Sequence, residues 1–126
     1  MIQESYPNIN RAALIVKLKK PFIDWLVYTS KEHDGKDQMS AGDVETEGFD
    51  SKNIYLIPAY DENAQYDRYL KKHFKEIFEQ ELGGWYADPA MWPQDRSWKV
   101  FQEWFDYEIH TMVFDTVLNK PLEYEE

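Results

Sequence analysis

Between Asn63 and Leu82 the side chains Tyr66, Tyr69, Leu70, His73, Phe74, Ile77, Phe78, Glu81 and Leu82 recur at three- and four-residue steps, a largely apolar stripe. Lys71, Lys72, Lys75, Glu76 and Glu79 take the other side. That period describes an amphipathic helix, which must bury one stripe against another layer. Asp61 and Asn63 offer N-terminal caps, and the pairs Asp67–Lys71, Lys72–Glu76 and Lys75–Glu79 have the i,i+4 spacing worth a few tenths of a kcal/mol each. Gly83 and Gly84 predict a left-handed C-terminal cap.

The partner layer is a sheet. Residues 12–18, AALIVKL, and 53–58, NIYLIP, are short apolar runs that read as strands covered on both sides, the second ended by Pro58. Between them Pro21, Phe22, Trp25, Leu26 and Thr29 sit at helical spacing, which predicts a helix from Pro21 to Glu32. Strand, helix, strand is the order of a βαβ unit with parallel pairing. Asp95 or Ser97 can cap a short helix to about Trp104. Residues 106–117, DYEIHTMVFDTV, alternate as a third strand, with a helix as the competing reading; β-branched and aromatic content favours the strand. The fold expected is therefore a single α/β domain, with α+β as the alternative. It has a small three-stranded mixed sheet, a βαβ start and three helices, and spans residues 1–126. A chain of 126 residues can bury roughly two-thirds of its unfolded surface in one core. An acidic loop at 33–52, rich in Gly and carboxylates, and an exposed tail at 119–126 complete the outline.

Charge and composition exclude several functions. With 24 acidic against 14 basic residues and a net charge of −10, the chain is ill suited to nonspecific binding of nucleic acid or of an anionic membrane. No apolar stretch approaches the length of a membrane span. The absence of cysteine removes disulfides and thiolate chemistry, and MIQESYPNINR lacks the pattern of a signal peptide, so the expected location is cytoplasmic. The serines lie in no G-x-S-x-G context and no phosphate-binding Gly loop is present. No cofactor is expected.

Two constellations remain. Glu108 and His110, two apart on a strand, would share a face, as a weak zinc pair or a base with its orienter. A catalytic metal takes about three protein ligands, and His33 and His73 lie in the loop and on the helix. The acids Asp43, Glu45, Glu47 and Asp50 do not meet the EF-hand pattern. The other constellation is GGWYADPAMWPQDRSW at 83–98, three tryptophans in sixteen residues of turn-forming sequence. Trp85 and Trp98 continue the apolar faces of their helices and belong to the core, making the segment a lid over one end of the sheet. Trp92 and Met91 lack such partners, and exposed they would form a patch with Tyr86, Asp88 and Asp95. Trp and Met are enriched at protein interfaces.

The stretches RAALIVKLKKPFIDWL, NIYLIP and WPQDRSWKVFQEWFDYEIHTMVFD together resemble a family of small bacterial proteins of unknown function. The resemblance covers most of the chain outside the acidic loop. It implies a compact bacterial single-domain protein and brings no activity, cofactor or catalytic residue with it.

The function expected is a non-enzymatic module that binds a protein partner, or a second copy, through Trp92, Met91, Tyr86, Asp88 and Asp95. One alternative is a small-molecule binder or hydrolase-like enzyme with its cleft beside 83–98, using Glu108, His110 and Asp88. The other is a polyanion mimic for a basic partner.

Overall fold

The structure, a computed structural model, describes residues 5–33 and 52–125. Strand β1 (Arg11–Leu18) leads into α1 (Lys20–His33); β2 (Asn53–Pro58) precedes the long α2 (Asn63–Gly83); a 3-10 turn (Pro89–Met91) and α3 (Trp98–Trp104) lead into β3 (Phe105–His110). Among the described residues the fold is mixed α and β, with three strands and three α-helices about one core. The segment 34–51, which carries most of the acidic loop expected at 33–52, lies outside the described residues.

The sheet has the order β2-β1-β3 and is antiparallel throughout. Parallel pairing was the expectation, and the register gives the reason it does not occur. Asn53, the first residue of β2, stands opposite Val16 near the end of β1, so the connection through α1 returns to the sheet end it left. β3 likewise begins beside the end of β1, with Phe105 opposite Leu18.

The antiparallel arrangement also leaves one face of the sheet uncovered, as such sheets commonly do. On β1, Ala12, Leu14 and Val16 are buried to 1% exposure or less, while Ala13 and Ile15 on the other face are half-buried and Lys17 is exposed. The helices therefore pack on one side only. The two apolar runs are not sandwiched strands, and the expectation of cover on both sides is corrected.

The covered side is aromatic. Phe22, Phe78, Phe101 and Phe105 are all fully buried or nearly so. Phe105 meets Phe101 at 5.0 Å, Phe78 at 5.1 Å and Phe22 at 5.4 Å between ring centroids, the Phe78 contact edge to face. One residue of β3 thereby joins α1, α2 and α3, and such ring pairs add about 0.5–1.5 kcal/mol each beyond their buried area.

The helix ends differ in detail from the sequence pattern. Glu62 is the N-cap of α2, and its backbone N–H donates to the Gln65 side chain at 3.1 Å, half of a capping-box arrangement. Gly84 closes the helix with right-handed geometry (φ −67°), so no left-handed cap is present. None of the three expected i,i+4 pairs is formed. Glu76 instead lies 3.2 Å from His73, and Glu79 lies 3.3 Å from Arg96 in the segment that follows.

Candidate functional site

The Trp-rich segment folds as a lid. Trp85 and Tyr86 turn back over the end of α2, their N–H groups both donating to the Leu82 carbonyl at 3.1 and 3.0 Å. Trp92 lays its ring beside Gly83, donates from Nε1 to the Tyr86 carbonyl at 2.7 Å and carries the Arg96 guanidinium 5.8 Å from the ring centroid. The Met91 carbonyl accepts from Trp25 Nε1 at 3.1 Å, which ties the segment to α1. Trp25 meets Tyr86 edge to face at 5.8 Å and Trp98 stacks on Phe101 at 5.7 Å. All five tryptophans are half-buried.

The five residues singled out for binding are accordingly placed close together but busy with local structure. Trp92, Met91 and Tyr86 are half-buried, and Trp92 and Tyr86 pack against the core. Asp88 is exposed and caps the 3-10 turn, accepting from the Ala90 N–H at 3.0 Å. Asp95 is exposed and accepts from the Ser97 N–H at 3.1 Å just before α3. Each acid satisfies a backbone donor at a turn, a sufficient reason for its place in the sequence.

Glu108 and His110 do share a face of β3, and Glu108 Oε2 lies 3.1 Å from His110 Nε2. Both are exposed. Asp88, the third residue of the enzyme alternative, is engaged in capping the 3-10 turn. Among the described residues no three His, Asp or Glu side chains gather into a group able to hold a metal ion.

One acid on the core-facing stripe of α2 has a role that the sequence pattern does not specify. Glu81 on α2 is 3% exposed, and its Oε2 accepts hydrogen bonds from the Tyr55 hydroxyl and, at 2.7 Å, from Asn53 Nδ2, both on β2. Burial raises the Glu81 pKa above its ordinary 4.5, and the two hydrogen bonds offset part of that shift. Burial, then the hydrogen bond to Glu81 and its charge, raise the Tyr55 pKa. The triad pins the start of β2 to the end of α2. The helical period places Glu81 on the buried stripe; its partners on β2, distant in sequence, are not visible in that pattern.

The feature sequence reasoning missed is the open sheet face. Strand partners share a face, so the register places Ala13 beside Leu56 and His110, and Ile15 between Ile54 and Glu108. Ile54 is 64% and Leu56 50% exposed, unusual for aliphatic residues in the middle of a strand. Ile15, Lys17, Lys52, Asp106, Tyr107 and Glu108 line a shallow hollow of about 170 Å³ on this side. The alternation of Asp106, Glu108 and His110 with Tyr107 and Ile109 was the available clue that one face is wet.

A second apolar surface adjoins it. Beyond β3 the chain pairs with the segment before β1: Ile9 N donates to the Val113 carbonyl at 2.8 Å, Asp115 N donates to the Pro7 carbonyl at 2.9 Å, and Asn8 bridges Phe114. Residues 106–117 are thus a strand only to His110, then a looser ribbon. Met112, Phe114, Val117, Leu118, Leu122 and Tyr124 are exposed along it.

Compared with protein-family models, with curated proteins and with solved structures, the chain gave no match.

Proposed function

We infer that the protein is a binding module for a protein partner and that its contact surface is the open face of the sheet. The observation that carries this reading is the exposure of Ile54 and Leu56 at the centre of a regular strand, beside the half-buried Ile15. Aliphatic side chains gathered on an otherwise acidic surface mark a place where burial is gained on association. The aromatic excess that first suggested an interface is largely absorbed by the core, so Trp92 and Met91 contribute at most a rim. Glu108 and His110 lie on the same open face as Ile15, where they supply polar contacts at the margin of the apolar strip.

A hollow of about 330 Å³ lined by Lys75, Glu79, Gln94, Asp95, Arg96 and Ser97 lies beside residues 83–98, but Glu108, His110 and Asp88 do not line it, which leaves the small-molecule alternative without the polar groups it named. The net charge of −10 still suits a basic partner, whose binding would weaken as salt rises.

Replacing both Ile54 and Leu56 by Glu tests the reading. The double variant should melt with the wild type, because neither side chain is packed. A protein retained by the immobilised wild type should be lost from it. Retention unchanged by the double variant would refute the assignment of this face.

A further inference from the structure

We propose that the open β1–β2 face is covered by the segment 117–125 of a second copy of this chain, each copy of a dimer lending that segment to the other. The inference rests on the reading of the face as the binding surface and names its occupant.

Charge is the first reason. In a chain of net charge −10, the charged side chains that β1 turns towards the open face are Arg11 and Lys17, and Lys52 stands at the same end as Lys17. β2 adds only Ile54, Leu56 and Pro58. Asp106 and Glu108 flank the cations one strand away on β3, opposite Lys17 and Ile15, so the three cations outnumber the two acids of the face. The face is therefore apolar with a small excess of positive charge, opposite in sign to the molecule as a whole. A segment suited to it is apolar and acidic, and opposite charges attract over a Debye length of about 8–10 Å without direct contact.

The chain contains such a segment. Over residues 122–125, Leu122 and Tyr124 alternate with Glu123 and Glu125, the period of a half-buried extended strand. Among the described residues this stretch has no strand partner, and Leu122 and Tyr124 are 70% and 98% exposed. Both surfaces, face and segment, display aliphatic or aromatic groups to water within one molecule. Joining them between two copies buries both, and a two-fold axis makes the exchange reciprocal. The chain turns at 118–120, and the five residues 121–125, if extended, span roughly 16 Å, more than the ~4.8 Å that separates β1 from β2.

The absence of native cysteine allows a direct test. Full-length Leu56→Cys and Tyr124→Cys chains of distinguishable mass are mixed and equilibrated in a thiol–disulfide buffer. The proposal expects the mixed disulfide to exceed either homodisulfide at least tenfold. Light scattering should show a wild-type dimer that dissociates at least tenfold more readily in Lys17→Glu, with Glu123→Lys restoring association in that background. Predominance of the Leu56–Leu56 disulfide would replace the exchange by a face-to-face dimer and overturn it. An intramolecular bond in the doubly substituted chain at high dilution, with no mixed species, would assign the face to the molecule's own segment and also overturn it. A wild-type monomer at every concentration overturns it as well. In that event, partner retention that still depends on Ile54 and Leu56 leaves the proposed function standing, and its loss removes both.

Discussion

Trp92 sits half-buried in the lid over the end of α2. Its Nε1 donates to the Tyr86 carbonyl and its ring packs beside Gly83 under Arg96, so it holds the lid in place. Trp92→Ala should destabilise the fold by about 2 kcal/mol, less than the ~3–5 kcal/mol of a fully buried ring. Denaturant unfolding measures the difference, and a change within error would mark Trp92 as surface. Glu81 gives a pH-dependent counterpart. Because its folded-state pKa is raised, the folded chain binds the proton more tightly than the unfolded chain. Its favourable contribution is present below the ordinary value of 4.5 and is lost as the pH rises through the raised folded value. Glu81→Gln keeps an acceptor for Tyr55 and Asn53 without the buried charge. It should raise the melting temperature at pH 7 and leave it nearly unchanged near pH 4; equal effects at both pH values would show that ionisation is not the cause. Tyr55 adds to the same trend, since stability falls as the pH climbs past its ordinary 10.0.

At the scale of elements, α3 and β3 are fused without a loop: Phe105 caps the helix and opens the strand, and the Lys19 N–H donates to the Trp104 carbonyl at 2.9 Å. Phe101, fully buried among Phe74, Phe78, Phe105 and Trp98, anchors this junction. Phe101→Ala should cost about 3–5 kcal/mol, read from urea unfolding. A cost under about 1 kcal/mol would mean that the aromatic cluster is not continuous. The elements themselves were legible in the sequence because their periods are strong: α2 runs from Asn63 and α1 begins one residue before Pro21. Pairing sense was not legible. NIYLIP is uniformly apolar, and such a run does not say whether both its faces or one are covered. Only the register with Lys17, Asp106 and Glu108 reveals an exposed side, and register depends on contacts distant in sequence.

For the whole molecule, the same ambiguity governed function. Aromatic density drew attention to residues 83–98, yet large rings gain most from burial and the core takes them. The aliphatic residues Ile54 and Leu56, which look like core in any local window, are what the antiparallel topology leaves to solvent. No helix among the described residues is long and apolar enough to cross a membrane. The account divides the apolar residues into a lid that stabilises and a face that binds. It is tested most directly by measuring, for Trp92→Ala and Ile54→Glu side by side, the melting temperature and the affinity for one retained partner or for a second copy. The account predicts a lowered melting temperature with unchanged affinity for the folded Trp92→Ala protein, and an unchanged melting temperature with affinity reduced at least tenfold for Ile54→Glu. The reverse pattern would contradict it and return the binding surface to the Trp-rich segment.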